Sequence, residues 1–278
     1  MLKLSWIYWD PKPEIFKLPV VNFPVLWYGA LFAFGFAIGF SIFIGILVRF
    51  FGKDQKKKAV EIADRLTVYM IVATVVGARL GHFLFYERPS SYLKDPLEIF
   101  RVWEGGLASH GAVIGIVLGV ILFSIRIRPV AKQLDWIRLL DFIAAPAAFA
   151  GFCIRVGNFI NQEVLGKITD VPWAVVFGHP LDRSAPAPRH PVQLYEAFFY
   201  LAVFFILWRL SFYPENLKKR GKLAGLFLIL VFGFRFFIEY LKVEQSHLLD
   251  ASLTMGQILS IPAVIMGFYF YFRKRSKS

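Results

Sequence analysis

Apolar residues run along this chain in long blocks separated by short polar connections. Seven blocks meet the length of roughly 20 mainly apolar residues that one bilayer crossing requires. They cover approximately 24–48, 66–86, 106–125, 135–157, 193–213, 223–241 and 256–272. The pattern predicts an all-α, polytopic membrane bundle with seven transmembrane helices. It reads as a single integral-membrane domain over 1–278, with an outer cap at about 158–192. Small residues recur at four-residue spacing in the first three blocks, as Gly35/Gly39, Gly77/Gly81 and Gly111/Gly115/Gly119. That spacing permits close helix packing and is read as packing only.

Charge then orients the bundle. Basic clusters follow the first, third, fifth and seventh blocks: Arg49 to Lys58, Arg126 to Lys132, Lys218 to Lys222, and Arg273 to Lys277. The other connections are mixed in sign. Positively charged connections stay in the cytoplasm, which puts the N-terminus outside and the C-terminus inside. The outer connections are then 87–105, 158–192 and 242–255. Trp6, Trp9, Trp27, Trp103 and Trp173 fall at or near the outer boundaries, as an interfacial aromatic belt does. The loop 164–189, with Trp173, His179, Asp182 and Arg183, is expected to form the small cap.

Composition agrees. Of 278 residues, 57% are hydrophobic and 18% aromatic, and mean hydropathy is +0.57. A soluble domain is nearer to half apolar and about a quarter charged. The net charge of +13 is read as topology and not as a nucleic-acid surface, because the cations sit between apolar blocks. The one cysteine, Cys153, excludes an internal disulfide and a multi-cysteine metal site. Residues 1–17 lack a continuous apolar core, so no signal peptide is expected there.

The polar residues at or near membrane depth are the informative ones. Placing charges there costs several kcal/mol unless they are paired, face a cavity or reach the interface. The topology gathers them at one depth, in the outer half of the membrane. Tyr28 starts the first block, and Arg79 and His82 lie near the end of the second. His110 opens the third. Arg155, Asn158, Asn161 and Glu163 close the fourth. His190, Gln193, Tyr195 and Glu196 open the fifth, Arg235 and Glu239 lie late in the sixth, and Gln257 opens the seventh. Arg79, Arg155 and Arg235 could together hold a phosphate, which suits the multi-donor guanidinium. Arg235 and Glu239 are four apart on one helix face, either as a self-satisfied ion pair or with Glu239 orienting Arg235 toward an anion. His110 is either a general base or a structural histidine bonded to a backbone carbonyl.

Other chemistries find no support. Ser109 and His110 are adjacent, so their side chains do not face each other on a helix. There is no Gly-x-Ser-x-Gly elbow and no His-Glu-x-x-His pair. No metal and no cofactor is expected. Cys153 sits in apolar sequence, where a thiol is usually inert packing.

Seven ordered motifs between residues 27 and 257 resemble the bacterial prolipoprotein diacylglyceryl transferases. The strongest is Arg155-x-Gly157-Asn158-Phe159-Ile160-Asn161-x-Glu163-x-x-Gly166. The others are Trp27-Tyr28-Gly29, Arg79-Leu80-Gly81, Gly105-Gly106 through His110-Gly111, and His190-Pro191-x-Gln193-Leu194-Tyr195-Glu196. Phe234-Arg235-Phe236 with Glu239, and Leu253-Thr254-Met255-Gly256-Gln257, complete the set. Two positions depart from the family pattern: Ile154 stands where a glycine usually precedes Arg155, and Ala112 replaces the second glycine after His110.

The resemblance implies a reaction. The diacylglyceryl group of phosphatidylglycerol moves to the lipobox cysteine thiol of a prolipoprotein, a thioether forms and glycerol phosphate leaves. It implies a monomer in the bacterial inner membrane whose site faces the outer leaflet, with no nucleic-acid partner. Arg155 and Arg235 would hold the phosphate, with Arg79 as helper. Asn158, Asn161 and Glu163 would position the headgroup and Arg155. His110 would be the base, and Tyr28 and Glu239 would orient these groups. Gly166, His190 and Glu196 complete the expected substrate-binding set. Two rivals are an anion or phospholipid transporter, which paired broken helices and an internal repeat would favour, and a structural subunit. Neither a long repeat nor paired broken helices is evident in the sequence.

Overall fold

A computed structural model describes residues 6–19, 22, 24–86, 101, 108–243 and 253–273. The expected outer connection 87–105 apart from Arg101, the following Gly106, and most of the basic C-terminal cluster lie outside the described residues, Trp103 and Gly105 among them. The described chain is mostly helical. Its helices are α1 (Trp27–Phe51), α2 (Lys56–Tyr86), α3 (Ser109–Ile127), α4 (Trp136–Ile160), α5 (Val192–Leu210), α6 (Pro214–Lys218), α7 (Lys222–Ile238) and α8 (Met255–Phe272). Helices occupy all seven expected positions. Five of them, α1, α4, α5, α7 with its 3₁₀ extension to Leu241, and α8, are long and apolar enough to cross a membrane by length and composition. The apolar part of α3, Gly111–Ile127, is shorter. α2 is the longest helix, with 31 residues, and it begins with three lysines.

An all-α description omits two small sheets. The strands are β1 (Ile7–Trp9), β2 (Glu14–Lys17), β3 (Pro24–Leu26), β4 (Val175–Phe177) and β5 (Pro188–Arg189). β2 and β3 form an antiparallel hairpin that leads directly into α1. The second sheet has the order β1-β4-β5, with β1 parallel to β4 and β5 antiparallel to it. The expected cap therefore contains a strand from the N-terminus. Strands of two or three residues are too short to leave a period-2 signal in the sequence.

The chain divides into two compact units, Leu47–Leu140 and the combination of Met1–Ile46 with Asp141–Ser278. In the Leu47–Leu140 unit, α2 and α3 meet along glycine. A Cβ on Gly111 would strike the Gly77 carbonyl oxygen, and one on Gly115 would strike the carbonyl oxygen of Ala73. A Cβ on Gly81 would lie 2.6 Å from the Gly111 Cα. The expected spacing thus brings two backbones into contact, where any side chain would hold them apart. The seam continues outward as an apolar groove of about 640 Å³ between the two helices.

In the other unit, α1 packs on α4 through Gly35 against Cys153 and Gly39 against Pro146. α7 and α8 approach at Gly225 and Gly267. The carboxylate of Asp141, 1% exposed, accepts hydrogen bonds from the backbone N–H groups of Gly221 (2.6 Å) and Ala224 (2.8 Å). It supplies from α4 the cap that the start of α7 lacks in its own side chains, satisfying donors that the first turn leaves unpaired.

Candidate active site

The signature segment closes α4 and then turns sharply. α4 ends at Ile160, and both Gln162 (φ 53°) and Val164 (φ 57°) adopt left-handed backbone. That conformation is costly for a β-branched valine, about 1–3 kcal/mol, and persists only where surrounding contacts over-determine it. Those contacts are present. The Gln162 side chain donates to Asp10 (3.1 Å) and accepts from the His179 backbone N–H (2.7 Å). Gln193 donates to the Glu163 carbonyl (2.8 Å), and the Glu163 N–H donates to the Asn158 carbonyl (3.0 Å). The turn folds Glu163 back onto the last turn of α4.

The result is a continuous polar chain. The Arg155 guanidinium donates through Nη1 to Asn158 Oδ1 (3.0 Å), and Asn158 Nδ2 donates to Glu163 Oε1 (2.8 Å). Asn161 reaches the same carboxylate oxygen at 3.4 Å. Tyr28, at the start of α1, lies against Gly157, where a Cβ would come within 2.8 Å of its ring. Its hydroxyl interacts with Asn158, Glu163 and Arg155.

On its other side Arg155 meets Glu196 of α5. Nε lies 3.1 Å from Glu196 Oε2, and the Glu196 side chain is fully buried. This contact is an ion pair without hydrogen-bond alignment, since neither atom has a hydrogen-bond partner. Glu196 Oε1 accepts from Lys242 Nζ (3.0 Å) and from the Tyr200 hydroxyl (3.3 Å). Lys242 also lies 3.4 Å from Glu239 Oε2. Tyr200 in turn interacts with Arg155 and Arg235.

Several members of this cluster hold buried polar atoms with no hydrogen-bond partner: Arg155 Nε, Asn161 Oδ1, Gln193 Oε1, Glu196 Oε2, Arg235 Nε and Glu239 Oε2. Folded proteins pair the great majority of such atoms. Two of them are guanidinium donors and four are oxygen acceptors, so the cluster has unused capacity for a ligand that both accepts and donates hydrogen bonds.

The profile of the prolipoprotein diacylglyceryl transferase family matches residues 13–273 of this chain. The chain belongs to that family. Relatives that carry the name phosphatidylglycerol–prolipoprotein diacylglyceryl transferase include the following. The protein of Tolumonas auensis is 45% identical over 94% of this chain and 95% of its own length. That of Chloroherpeton thalassium is 42% identical over 97% and 94%. That of Protochlamydia amoebophila is 33% identical over 98% and 96%.

Within this transferase-family chain, the structure gathers Tyr28, Arg155, Asn158, Asn161, Glu163, Glu196 and Glu239 into one cluster. Arg235 lies within electrostatic reach of Tyr200, whose hydroxyl donates to Glu196. One expectation needs correction. Among the described residues, no ion pair joins Arg235 to Glu239. α7 ends at Ile238 and residues 239–241 wind as a 3₁₀ turn, yet the Glu239 N–H still donates to the Arg235 carbonyl, so the helical spacing holds in the backbone while the Glu239 side chain is drawn to other partners. Glu239 instead faces Lys242 and Gly256, where a Cβ would strike its carboxylate. Gly256 belongs to a motif whose Thr254 and Gln257 form a capping box for α8, which explains that run of residues locally.

Gly166 acts through its backbone. It bridges to Lys242, its carbonyl accepts from Arg189 (3.1 Å), and a Cβ would strike the carbonyl of His190. The His190 ring lies 3.4 Å from the Tyr195 hydroxyl, which accepts from Trp173 Nε1 (2.6 Å). Arg79 and His110 belong to the Leu47–Leu140 unit. Arg79 is buried, with its guanidinium 4.7 Å from the centre of the Phe83 ring. His110 lies in the first turn of α3, and its side chain is outside the described residues.

Sequence reasoning missed Lys242 and Asp10. Lys242 follows the sixth apolar block and reads there as an ordinary loop charge. Its three-residue spacing from Glu239 was the available signal. Asp10 accepts from Gln162 and lies 2.6 Å from His179 Nδ1. The contacts with His179 and then Gln162 hold its carboxyl below the usual range. No local pattern in the sequence links Asp10 to residues about 150 positions away.

Proposed function

We propose that this protein transfers the diacylglyceryl group of phosphatidylglycerol to the lipobox cysteine thiol of prolipoproteins. The observation that carries the proposal is the Arg155–Asn158–Glu163 chain, backed by Glu196, inside a chain of this family. The thiolate sulfur forms a bond to the terminal glyceryl carbon. The carbon–oxygen bond to phosphate breaks, and its electron pair leaves with glycerol phosphate. Arg155 and Arg235 hold the phosphate and stabilise the charge that grows on it as the bond breaks. Arg79 assists as a third cation. Asn158, Asn161 and Glu163 keep Arg155 oriented and meet the headgroup hydroxyls, with Tyr28, Glu196 and Glu239 as orienting groups. His110 takes the thiol proton, because a free thiol with a pKa near 8.5 supplies little thiolate at neutral pH.

We read the chain as one integral-membrane domain with seven spans, its N-terminus outside and its C-terminus cytoplasmic. The basic connections support that orientation. The site then faces the outer leaflet of the inner membrane, beneath the cap. Purified protein given phosphatidylglycerol and a lipobox peptide should form lipidated peptide and release glycerol phosphate. Normal lipid binding with no lipidated product refutes the proposal. His110→Ala should lose most turnover in a folded protein, and near-normal turnover removes the base assignment.

A further inference from the structure

Lys242 is the most deeply buried lysine among the described residues, with its side chain 6% exposed. Lysine is almost never buried unless paired. Its ammonium sits between two carboxylates, 3.0 Å from Glu196 Oε1 and 3.4 Å from Glu239 Oε2. Its backbone is equally committed. Lys242 forms an antiparallel bridge with Gly166, Lys167 donates to the Leu241 carbonyl (2.7 Å), and Val243 donates to the Leu165 carbonyl (3.0 Å). The segment after α7 is thereby clamped to the signature loop, and the ammonium is aimed at the carboxylate that contacts Arg155.

Charge balance shows what this accomplishes. The cluster sets the cations Arg155, Arg235 and Lys242 against the carboxylates Glu163, Glu196 and Glu239. With Lys242 removed, carboxylates are in excess. Glu196 would then have Arg155 as its sole cationic partner, and Glu239 would have none within salt-bridge distance among the described residues. Both changes make the site less attractive to an anion.

We propose that Lys242 is a positioning residue, which neutralises Glu196 and Glu239 so that Arg155 and Arg235 remain available to an anionic phospholipid headgroup. The inference rests on the transferase reading and adds to it the residue that sets the site's charge. It acts through Glu196 and not by touching the reacting atoms.

The test uses full-length protein in mixed micelles, with phosphatidylglycerol and phosphatidylcholine as binding probes and transfer measured in parallel. Lys242→Met should weaken phosphatidylglycerol binding and raise its KM by roughly tenfold, with kcat changed by less than about threefold. Phosphatidylcholine binding should stay unchanged. Lys242→Arg, which keeps the charge, should recover binding to within about threefold of wild type. Unchanged phosphatidylglycerol binding in Lys242→Met overturns the proposal. So does equal weakening toward both lipids, which marks a merely structural lysine. If neither variant folds, acylation of wild-type protein decides. Lys242 should stay unmodified while exposed Lys56 and Lys57 react, and equal labelling overturns the proposal. Wild-type protein that binds phosphatidylglycerol but forms no lipidated peptide refutes the transferase reading, while the binding comparison still decides Lys242.

Discussion

The Arg155–Glu163 turn and the α2–α3 glycine seam both bury backbone within apolar sequence, and they do so by opposite means. Along the seam the chain removes side chains, so that Gly77, Gly81, Gly111 and Gly115 let two helices touch. The nearest neighbours of these four glycines across the seam are backbone atoms and the Ala108 methyl, and the seam opens onto an apolar groove. Around Arg155 the chain keeps three cations and three carboxylates and accepts left-handed backbone at Gln162 and Val164. Packing explains the close approach along the seam. It cannot explain the Arg155 cluster, because buried ion pairs contribute little net stability compared with well-packed apolar side chains. Polar groups that stability does not require point to chemistry.

The sharpest way to break this contrast is to remove Arg155. Arg155→Ala leaves Glu196 with Lys242 as its remaining cationic partner and deprives the proposed phosphate of its central donor. Losing one such transition-state donor costs about 10²–10³-fold in turnover, and the accompanying loss of substrate binding should bring the fall in kcat/KM to about 10³-fold or more. Steady-state transfer assays on folded, normally expressed protein measure it. A loss under tenfold would mean that Arg155 is structural and that the two regions do not differ in kind.

The converse experiment targets the seam. Gly115→Leu puts a side chain where the Ala73 carbonyl lies, so the two helices must separate or the local backbone must shift. Overpacking of this kind costs about 1–3 kcal/mol or more, which lowers the yield and melting temperature of the solubilised protein. Gly233→Ala is the control, since nothing lies within 4 Å of the added methyl and alanine is the better helix former. If Gly115→Leu melted like wild type, the close approach of α2 and α3 would not be needed.

The two regions were also unequally legible in the sequence. Glycines four apart on an apolar helix carry their meaning locally, and the Gly77/Gly81 and Gly111/Gly115 spacings indicated the seam directly. The Arg155 segment showed its polar residues but only part of its wiring. Arg155 to Asn158 is a three-residue helical spacing and could be read. Arg155 to Glu196 joins two helices across 41 positions, and Lys242 to Glu196 spans 46. Such pairs leave no periodic trace. The same limit hid β1, whose pairing with β4 joins Tyr8 to Val176. A helix of 20 residues declares itself by composition, whereas a three-residue strand exists because its partner does.

The smallest expected effect sharpens the comparison from inside α4. Cys153 is a thiol only two residues from Arg155, and a reader seeking an enzyme nucleophile would choose it. Helix geometry argues otherwise, since residues two apart point roughly 200° away from each other. Cys153 is buried, and its sulfur packs against Gly35 of α1, 3.2 Å from where a Cβ on that glycine would stand. It therefore belongs with the packing glycines and not with the polar cluster beside it. Cys153→Ala should cost about 1 kcal/mol of stability, from one lost sulfur and a small void. Turnover should stay within about twofold of wild type, because the attacking thiol comes from the prolipoprotein. Transfer assays paired with thermal melts separate the two effects. A well-folded Cys153→Ala protein with no activity would move the nucleophile onto the enzyme and require a covalent intermediate.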